Sequence, residues 1–180
     1  MNRLPIVSLF ILALFSYEAA AQNSVRFNGL DADYYDTKGE TAVLLLHGSL
    51  AHNRMEIIST IATLLLDDYD IPVLAPNLSF NSAGREGMLD CGILHTHRHF
   101  DALTEISAWI TYLKQEKGFE RIVVSAHSRG GAQASAYLSD EPDSAVKGAV
   151  MIAPAVYDAQ RQEDSYSERY GVELSSLLQD

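Results

Sequence analysis

The chain has 180 residues, a length typical of one globular domain. Hydrophobic residues make up 47% and charged residues 21%, a balance that excludes disordered, collagen-like and coiled-coil chains. With 24 acidic and 13 basic residues the formal net charge is −11, so we expect no nucleic-acid partner, because phosphates carry charge of the same sign. The single cysteine, Cys91, cannot form an intrachain disulfide.

The first residues have the pattern of a secretory signal peptide. A basic start precedes an apolar run over residues 4–15, and Ala19 and Ala21 supply the small residues that signal peptidase requires. The run has about a dozen residues, whereas a helix that spans a bilayer needs about 20. We predict a signal peptide over 1–21 and an exported domain, periplasmic or extracellular, over 22–180. This domain would have no stable membrane insertion after cleavage; an uncleaved membrane anchor is the alternative.

The rest of the chain alternates strand and helix patterns. A turn signal, Asn28-Gly29, predicts an N-terminal strand pair over residues 24–38. Apolar runs predict four further strands, at 41–46, 71–75, 121–126 and 146–156. Helical patterns lie at 56–66, 101–117 and 129–139, with a loop over 77–94 and a weakly helical tail over 163–178. Strands separated by helices predict the α/β class, a mostly parallel sheet with helices on both faces.

The residues around Ser128 predict a reactive serine. A buried strand over 121–126 meets a helix at this serine, and so sharp a turn strains the backbone and requires small residues two positions before and after it. Those positions hold Ala126 and Gly130, so the pattern G-x-S-x-G is met with alanine in its first place. The turn lifts the hydroxyl above the strand ends, where the amide of Arg129 points towards it. The alternative, a serine that only caps the helix, does not explain small residues on both sides.

A second strand end predicts a partner for this serine. The first buried strand ends in His47-Gly48-Ser49, where the sheet gives way to a loop. Acyl transfer builds negative charge on a carbonyl oxygen, and each backbone donor aimed there contributes about 3–4 kcal/mol. We predict the amides of Ser49 and Arg129 as the two donors of an oxyanion hole. His47 and His127, which flank the two turns, are predicted to pack or to form structural hydrogen bonds.

These two elements, in this order and on these strands, resemble the α/β-hydrolase superfamily of serine esterases, lipases and their relatives. The resemblance covers most of residues 41–158. It implies an α/β-hydrolase-like fold, a small-molecule acyl substrate and chemistry that needs no cofactor. It also implies that Ser128 is the nucleophile and that Ser49 and Arg129 supply the oxyanion amides. The first hypothesis for function is therefore an exported serine hydrolase that cleaves an ester or related acyl bond.

The sequence departs from the superfamily in its general base. Superfamily members place an acid and then a histidine after the nucleophile, whereas all six histidines here precede Ser128. The resemblance also implies strands beyond 146–156, without which that apolar segment lies at the sheet edge. We expect an α/β-hydrolase-like chain that is incomplete at its C-terminus, with a partner chain over this edge as the alternative. The second hypothesis for function is a catalytically inactive fragment or a binding module that lacks the triad histidine.

Three closely spaced histidines are candidates for a relocated base. His95, His97 and His99 lie between a strand end and the next helix, at the carboxyl edge of the predicted parallel sheet, where Ser128 also emerges. One of them could accept the serine proton, with Asp158 after the last predicted strand as its orienting acid. The same histidines could bind zinc, although no cysteine or carboxylate set completes a recognisable ligand spacing. They could also form a solvated rim.

Overall fold

A computed structural model describes residues 22–80, 82, 84–90, 92–94, 96–140, 142–156 and 158–177. The signal peptide predicted over residues 1–21 lies outside the described residues, and so do Cys91 and His95. The described strands are β1 Gln22–Phe27, β2 Leu30–Tyr35, β3 Ala42–Leu46, β4 Val73–Asn77, β5 Ile122–His127 and β6 Val146–Ile152. The described helices are α1 Glu56–Tyr69, α2 Asp101–Gln115, α3 Arg129–Ser139, α4 Ala159–Tyr170 and α5 Leu174–Leu177.

The strands form one sheet in the order β1-β2-β4-β3-β5-β6. The pairs β4–β3, β3–β5 and β5–β6 are parallel, whereas β1–β2 and β2–β4 are antiparallel. The predicted N-terminal pair is confirmed: β1 and β2 are joined by Asn28 and Gly29, whose φ angles are 52° and 81°. Two residues with positive φ match the twist of a tight hairpin, and asparagine and glycine adopt that conformation at the lowest cost.

Helices cover both faces of the sheet, as the sequence predicts. Successive side chains of a strand point to opposite faces, and every residue of β3 is buried. Leu44 packs with Trp109 of α2 and Ala134 of α3 in one apolar cluster. Leu45, its neighbour in the chain, packs with Ile58 of α1 in a second cluster on the other face. The central strands are therefore buried on both sides, and their carboxyl ends open into loops at one edge of the sheet.

The last strand and the tail differ from the predicted bounds. Strand β6 lies at the sheet edge, as predicted, with Val150 52% exposed. It ends at Ile152 rather than at 156, because Ala153 has a φ of 43° and Pro154 supplies no amide hydrogen to continue the ladder. Helix α4 begins at Ala159, four residues before the predicted tail, because the Asp158 carboxylate accepts a hydrogen bond from its first turn. No described residue of α4 or α5 is buried.

No helix in the described part of the chain combines the length and the apolar character that crossing a bilayer requires.

Candidate active site

Ser128 occupies a strained turn between β5 and α3. Its φ is 52° and its ψ is −120°, a conformation that costs about 1–3 kcal/mol for a residue with a side chain. Three backbone hydrogen bonds hold it: its N–H donates to the carbonyl of Ile152 (3.0 Å), and its carbonyl accepts from Gly131 and Ala155 (2.9 Å each). The Ser128 side chain makes no capping hydrogen bond to α3, so helix capping does not explain its position.

Small residues around this turn are required by close backbone contacts. A Cβ atom on Gly130 would lie 2.5 Å from the carbonyl oxygen of His47, a distance that real Cβ atoms do not adopt. A Cβ on Gly48 would lie 3.1 Å from the Cβ of Ser128 and 3.1 Å from Nδ1 of His127. The loop after β3 and the turn after β5 therefore touch each other at the same edge of the sheet.

His47 fixes the orientation of the Gly48–Ser49 peptide. Its ring is fully buried, and its Nε2 accepts a hydrogen bond from the N–H of Leu78 at 3.0 Å. Because Nε2 accepts, Nδ1 carries the proton and donates it to the Gly48 carbonyl at 2.9 Å. In a trans peptide the N–H points away from the preceding carbonyl, so the Ser49 amide faces the opposite direction. Burial lowers the pKa of His47 to about 4, and the predicted structural role of this histidine is confirmed.

The loop after β4 brings an aromatic ring to this edge. Phe80 is buried with Leu78 and Leu89, and its φ is 44°. The guanidinium carbon of Arg129 lies 5.1 Å from the Phe80 ring centroid, and that of Arg85 lies 4.8 Å from it. Sequence analysis predicted only a loop here, because the packing of Phe80 depends on residues distant in the chain.

Two polar side chains, the buried Glu105 and the half-buried Arg85, hold this loop in place. The Glu105 carboxylate of α2 accepts hydrogen bonds from the amide (2.9 Å) and the hydroxyl of Ser79. The Arg85 guanidinium donates to the carbonyls of Ala51 (2.6 Å) and Leu78 (2.7 Å). The sequence analysis did not identify Glu105 or Arg85. A glutamate directly before the apolar Ile106 of α2 is the sequence signal that could have indicated a buried partner.

The structure places His97 and His99 beside the first turns of α3. The His97 ring lies 5.2 Å from the Phe80 ring, and the His99 carbonyl accepts a hydrogen bond from Gln133 at 3.2 Å. The His97 side chain is 2% exposed, its Nδ1 lies 3.8 Å from a carboxylate oxygen of Asp101, and no described residue hydrogen-bonds its Nε2. Burial, with the nearby charges of Arg129 and His97, lowers the pKa of His99.

Asp158 has no contact with these groups among the described residues. The Asp158 side chain is exposed and accepts a hydrogen bond from the amide of Arg161 at 3.0 Å. The carboxylate found beside His97 is that of Asp101. Within the described ranges, no group of three or more histidine, cysteine, aspartate or glutamate side chains could hold a metal ion. Among the same residues, no hydrogen bond joins Ser128 to His97 or His99.

The comparisons agree with the geometry of the sheet and its turns. A family model described as the alpha/beta hydrolase fold matches residues 41–173. This match spans well over half of the chain, which therefore belongs to the α/β hydrolase fold family. The superfamily resemblance and the predicted fold class are confirmed. No curated protein sequence matches the chain.

Solved structures share the fold at low sequence identity. An esterase of Pyrococcus furiosus, Pf2001, is 19% identical with a TM-score of 0.63, over 94% of this chain and 64% of its own. Est1E from Butyrivibrio proteoclasticus is 18% identical with a TM-score of 0.55, over 76% of this chain and 51% of its own. A thioesterase domain from the curacin biosynthetic pathway is 21% identical with a TM-score of 0.55, over 89% and 56%. The chain thus spans 51 to 64% of the length of these proteins, and at these identities the likeness shows the fold alone.

Proposed function

We propose that this protein is an exported serine hydrolase that cleaves an ester or a related acyl bond, with Ser128 as its nucleophile. The observation that carries the proposal is the strained backbone of Ser128 at the β5–α3 junction, held by hydrogen bonds and packed against the Gly48 loop. Strain of this kind persists where the surrounding fold imposes it, and it is concentrated at functional sites. The esterase and thioesterase names of the similar structures support the same class of reaction.

The proposed reaction has two acyl-transfer steps. The Ser128 Oγ attacks the carbonyl carbon of the substrate, its proton passes to a base, and the carbonyl oxygen becomes an oxyanion. The Ser49 and Arg129 amides donate hydrogen bonds to this oxyanion, and the buried His47 supports the first of them by holding the Gly48 carbonyl. The leaving alcohol or thiol takes the proton, and water then hydrolyses the acyl-serine.

Among the described candidates, His97 has the best support as the base. Asp101 lies beside its Nδ1, and its Nε2 is buried without a hydrogen-bond partner in the described residues, the arrangement of an oriented imidazole that can accept a proton. A base must come within about 3 Å of the serine hydroxyl. Because no hydrogen bond joins His97 to Ser128 in the described residues, this mechanism requires the His97 ring to move towards Ser128. His99 is the second candidate, while His95 lies outside the described residues and Asp158 has the weakest geometric support.

A binding module with an unreactive serine is the second candidate function. It is favoured by the lack of a hydrogen bond between Ser128 and any described histidine. In that case the loops around Ser128 would bind an acyl compound without cleaving it.

Covalent labelling distinguishes the two functions. A fluorescent fluorophosphonate reacts with an activated serine, so we expect labelling of the purified chain that disappears in Ser128→Ala. The matched control, Ser135→Ala, removes an exposed hydroxyl from the next turns of α3 and should label as the unmodified chain does. If the protein is folded, as judged by circular dichroism, and takes up no label, the proposed hydrolase activity is refuted.

The mass of the exported protein tests the predicted cleavage of the signal peptide. The mature chain should begin at Gln22, and a product that retains residues 1–21 would contradict cleavage.

A further inference from the structure

The side chain of Arg129 carries a charge that the described protein leaves unmatched. Its guanidinium is half-buried, and burial lowers its pKa, while no carboxylate of the described residues acts against that effect. Its contact is with the ring of Phe80, 5.1 Å from the guanidinium carbon, and no described residue accepts a hydrogen bond from it. Removing part of an arginine side chain from water without a paired anion costs free energy, so a compensating ligand for Arg129 is expected.

Three other cations of the described chain have partners for their charge. Arg54 binds both carboxylate oxygens of Asp33, at 2.7 and 2.9 Å. Lys114 binds both oxygens of Asp143, at 2.7 and 2.9 Å. Arg85, which shares the Phe80 ring with Arg129, donates to backbone carbonyls and lies near the Glu105 carboxylate. In a chain of net charge −11, a half-buried arginine without an acidic partner in the described ranges is therefore unusual.

The residue that carries this unmatched charge is the direct neighbour of the proposed nucleophile in the chain. Arg129 follows Ser128 directly and begins α3, whose N-terminal amides add positive potential at the same place. Its charge also reaches the rings of His47 and His99 and helps to lower the pKa of each. Phe80 contacts the guanidinium, and Glu105 and His47 in turn hold the loop of Phe80 through Ser79 and Leu78.

We propose that the Arg129 guanidinium binds a carboxylate of the substrate, so that the enzyme prefers acyl compounds carrying a negative charge over neutral ones of the same length. This inference rests on the proposed function, since it assigns the substrate class of the same site. A guanidinium presents paired N–H donors that match the two oxygens of a carboxylate. One unmatched positive charge suits a monoanion better than a doubly charged phosphate. The half-ester of a dicarboxylic acid is the simplest substrate of this class.

Two esters of equal length test the preference. p-Nitrophenyl monoadipate and p-nitrophenyl hexanoate differ only in the carboxylate at the far end of the acyl chain. Calorimetry on the Ser128→Ala chain measures the binding of each without turnover, and kcat/KM on the unmodified chain measures its cleavage. We expect the monoadipate to bind about ten- to a hundredfold more tightly than the hexanoate, the range expected for a charge-assisted hydrogen bond. Equal binding of the two esters, or tighter binding of the hexanoate, would overturn the inference.

Substitutions at Arg129 assign the preference to its side chain. Arg129→Gln in the Ser128→Ala chain should reduce the ratio of the two affinities to near one. Arg129→Lys should retain part of the ratio, because an ammonium keeps the charge but lacks the paired N–H donors of a guanidinium. Arg121→Gln, which removes the same charge at the opposite end of β5, should leave the ratio unchanged. An equal ratio in the Arg129→Gln and Arg121→Gln chains would refute the assignment. Should the glutamine variant not fold, the lysine variant and the two-ester comparison still decide.

The binding and labelling results fail independently. A chain whose Ser128 takes up no fluorophosphonate, but whose Ser128→Ala variant still prefers the monoadipate, would refute catalysis and support the carboxylate site. A chain that labels at Ser128 and binds both esters equally would support the hydrolase and refute the role of Arg129.

Discussion

Protonation of His47 should destabilise the folded chain as the pH falls. This ring is fully buried, and its two nitrogens are committed to the Gly48 carbonyl and the Leu78 amide. Protonation would put a charge in an apolar site and would break the bond from Leu78, because an imidazolium cannot accept a hydrogen bond. Burial accordingly lowers the pKa of His47 to about 4 from the 6.5 of a solvated ring.

The size of the effect follows from these two pKa values. Between them the unfolded chain binds more protons than the folded one, so the free energy of unfolding rises with pH across this window. Each pKa unit corresponds to about 1.4 kcal/mol, so the total contribution lost on acidification is about 3 kcal/mol. About 2 kcal/mol of that total is lost between pH 7.5 and pH 5.0.

This loss of stability can be measured by urea unfolding of the unmodified chain and of the His47→Gln variant at pH 7.5 and pH 5.0. Glutamine can still accept from Leu78 but does not titrate, so the stability gap between the two proteins should shrink by about 2 kcal/mol at pH 5.0. His52→Gln removes a half-buried histidine from the same loop. The stability difference between this variant and the unmodified chain should change much less with pH, because the His52 ring is partly solvated. A gap for His47→Gln that is the same at both pH values would refute the reasoning.

Two further substitutions test the packing around Ser128 and the partly buried ion pair of Asp33 and Arg54. Gly130→Ala should destabilise the fold by about 1–3 kcal/mol in urea and slow the labelling of Ser128, because its Cβ meets the His47 carbonyl, whereas Gly148→Ala, with open space, should not. A fully stable Gly130→Ala would contradict this contact. Asp33→Asn should cost about 1–2 kcal/mol, less than for a fully buried pair because Arg54 is 44% exposed, while Asp31→Asn should cost under about 1 kcal/mol. Equal losses for the two aspartates would refute the importance of burial.

The elements of the fold could be predicted because their signals are local. The Asn28-Gly29 pair marks a hairpin by its tolerance of positive φ, and the unbroken apolar run of β3 marks a strand covered on both faces. The strained turn at Ser128 could be predicted for the same reason, since the small residues beside it are neighbours in the chain. The predicted end of β6 and the predicted start of α4 were wrong. Apolar periodicity does not show where a single residue, Pro154 or the capping Asp158, ends a strand or begins a helix.

The surroundings of Ser128 depend on contacts between distant residues. The Phe80 ring reaches Arg129 only because His47 and Glu105 hold the loop after β4, and no spacing in the sequence indicates that arrangement. The contact between His97 and Asp101, where the sequence analysis offered Asp158, is by contrast local, because one short turn before α2 brings the two side chains together.

By itself, then, the sequence determined the order of strands and helices, the α/β class and the position of the strained serine, because propensity and periodicity act between near neighbours. Only the tertiary structure decided which charges are matched. The surroundings of the Arg129 guanidinium are set by Phe80, which lies 49 residues earlier in the chain, so they depend on loops that meet at the carboxyl edge of the sheet.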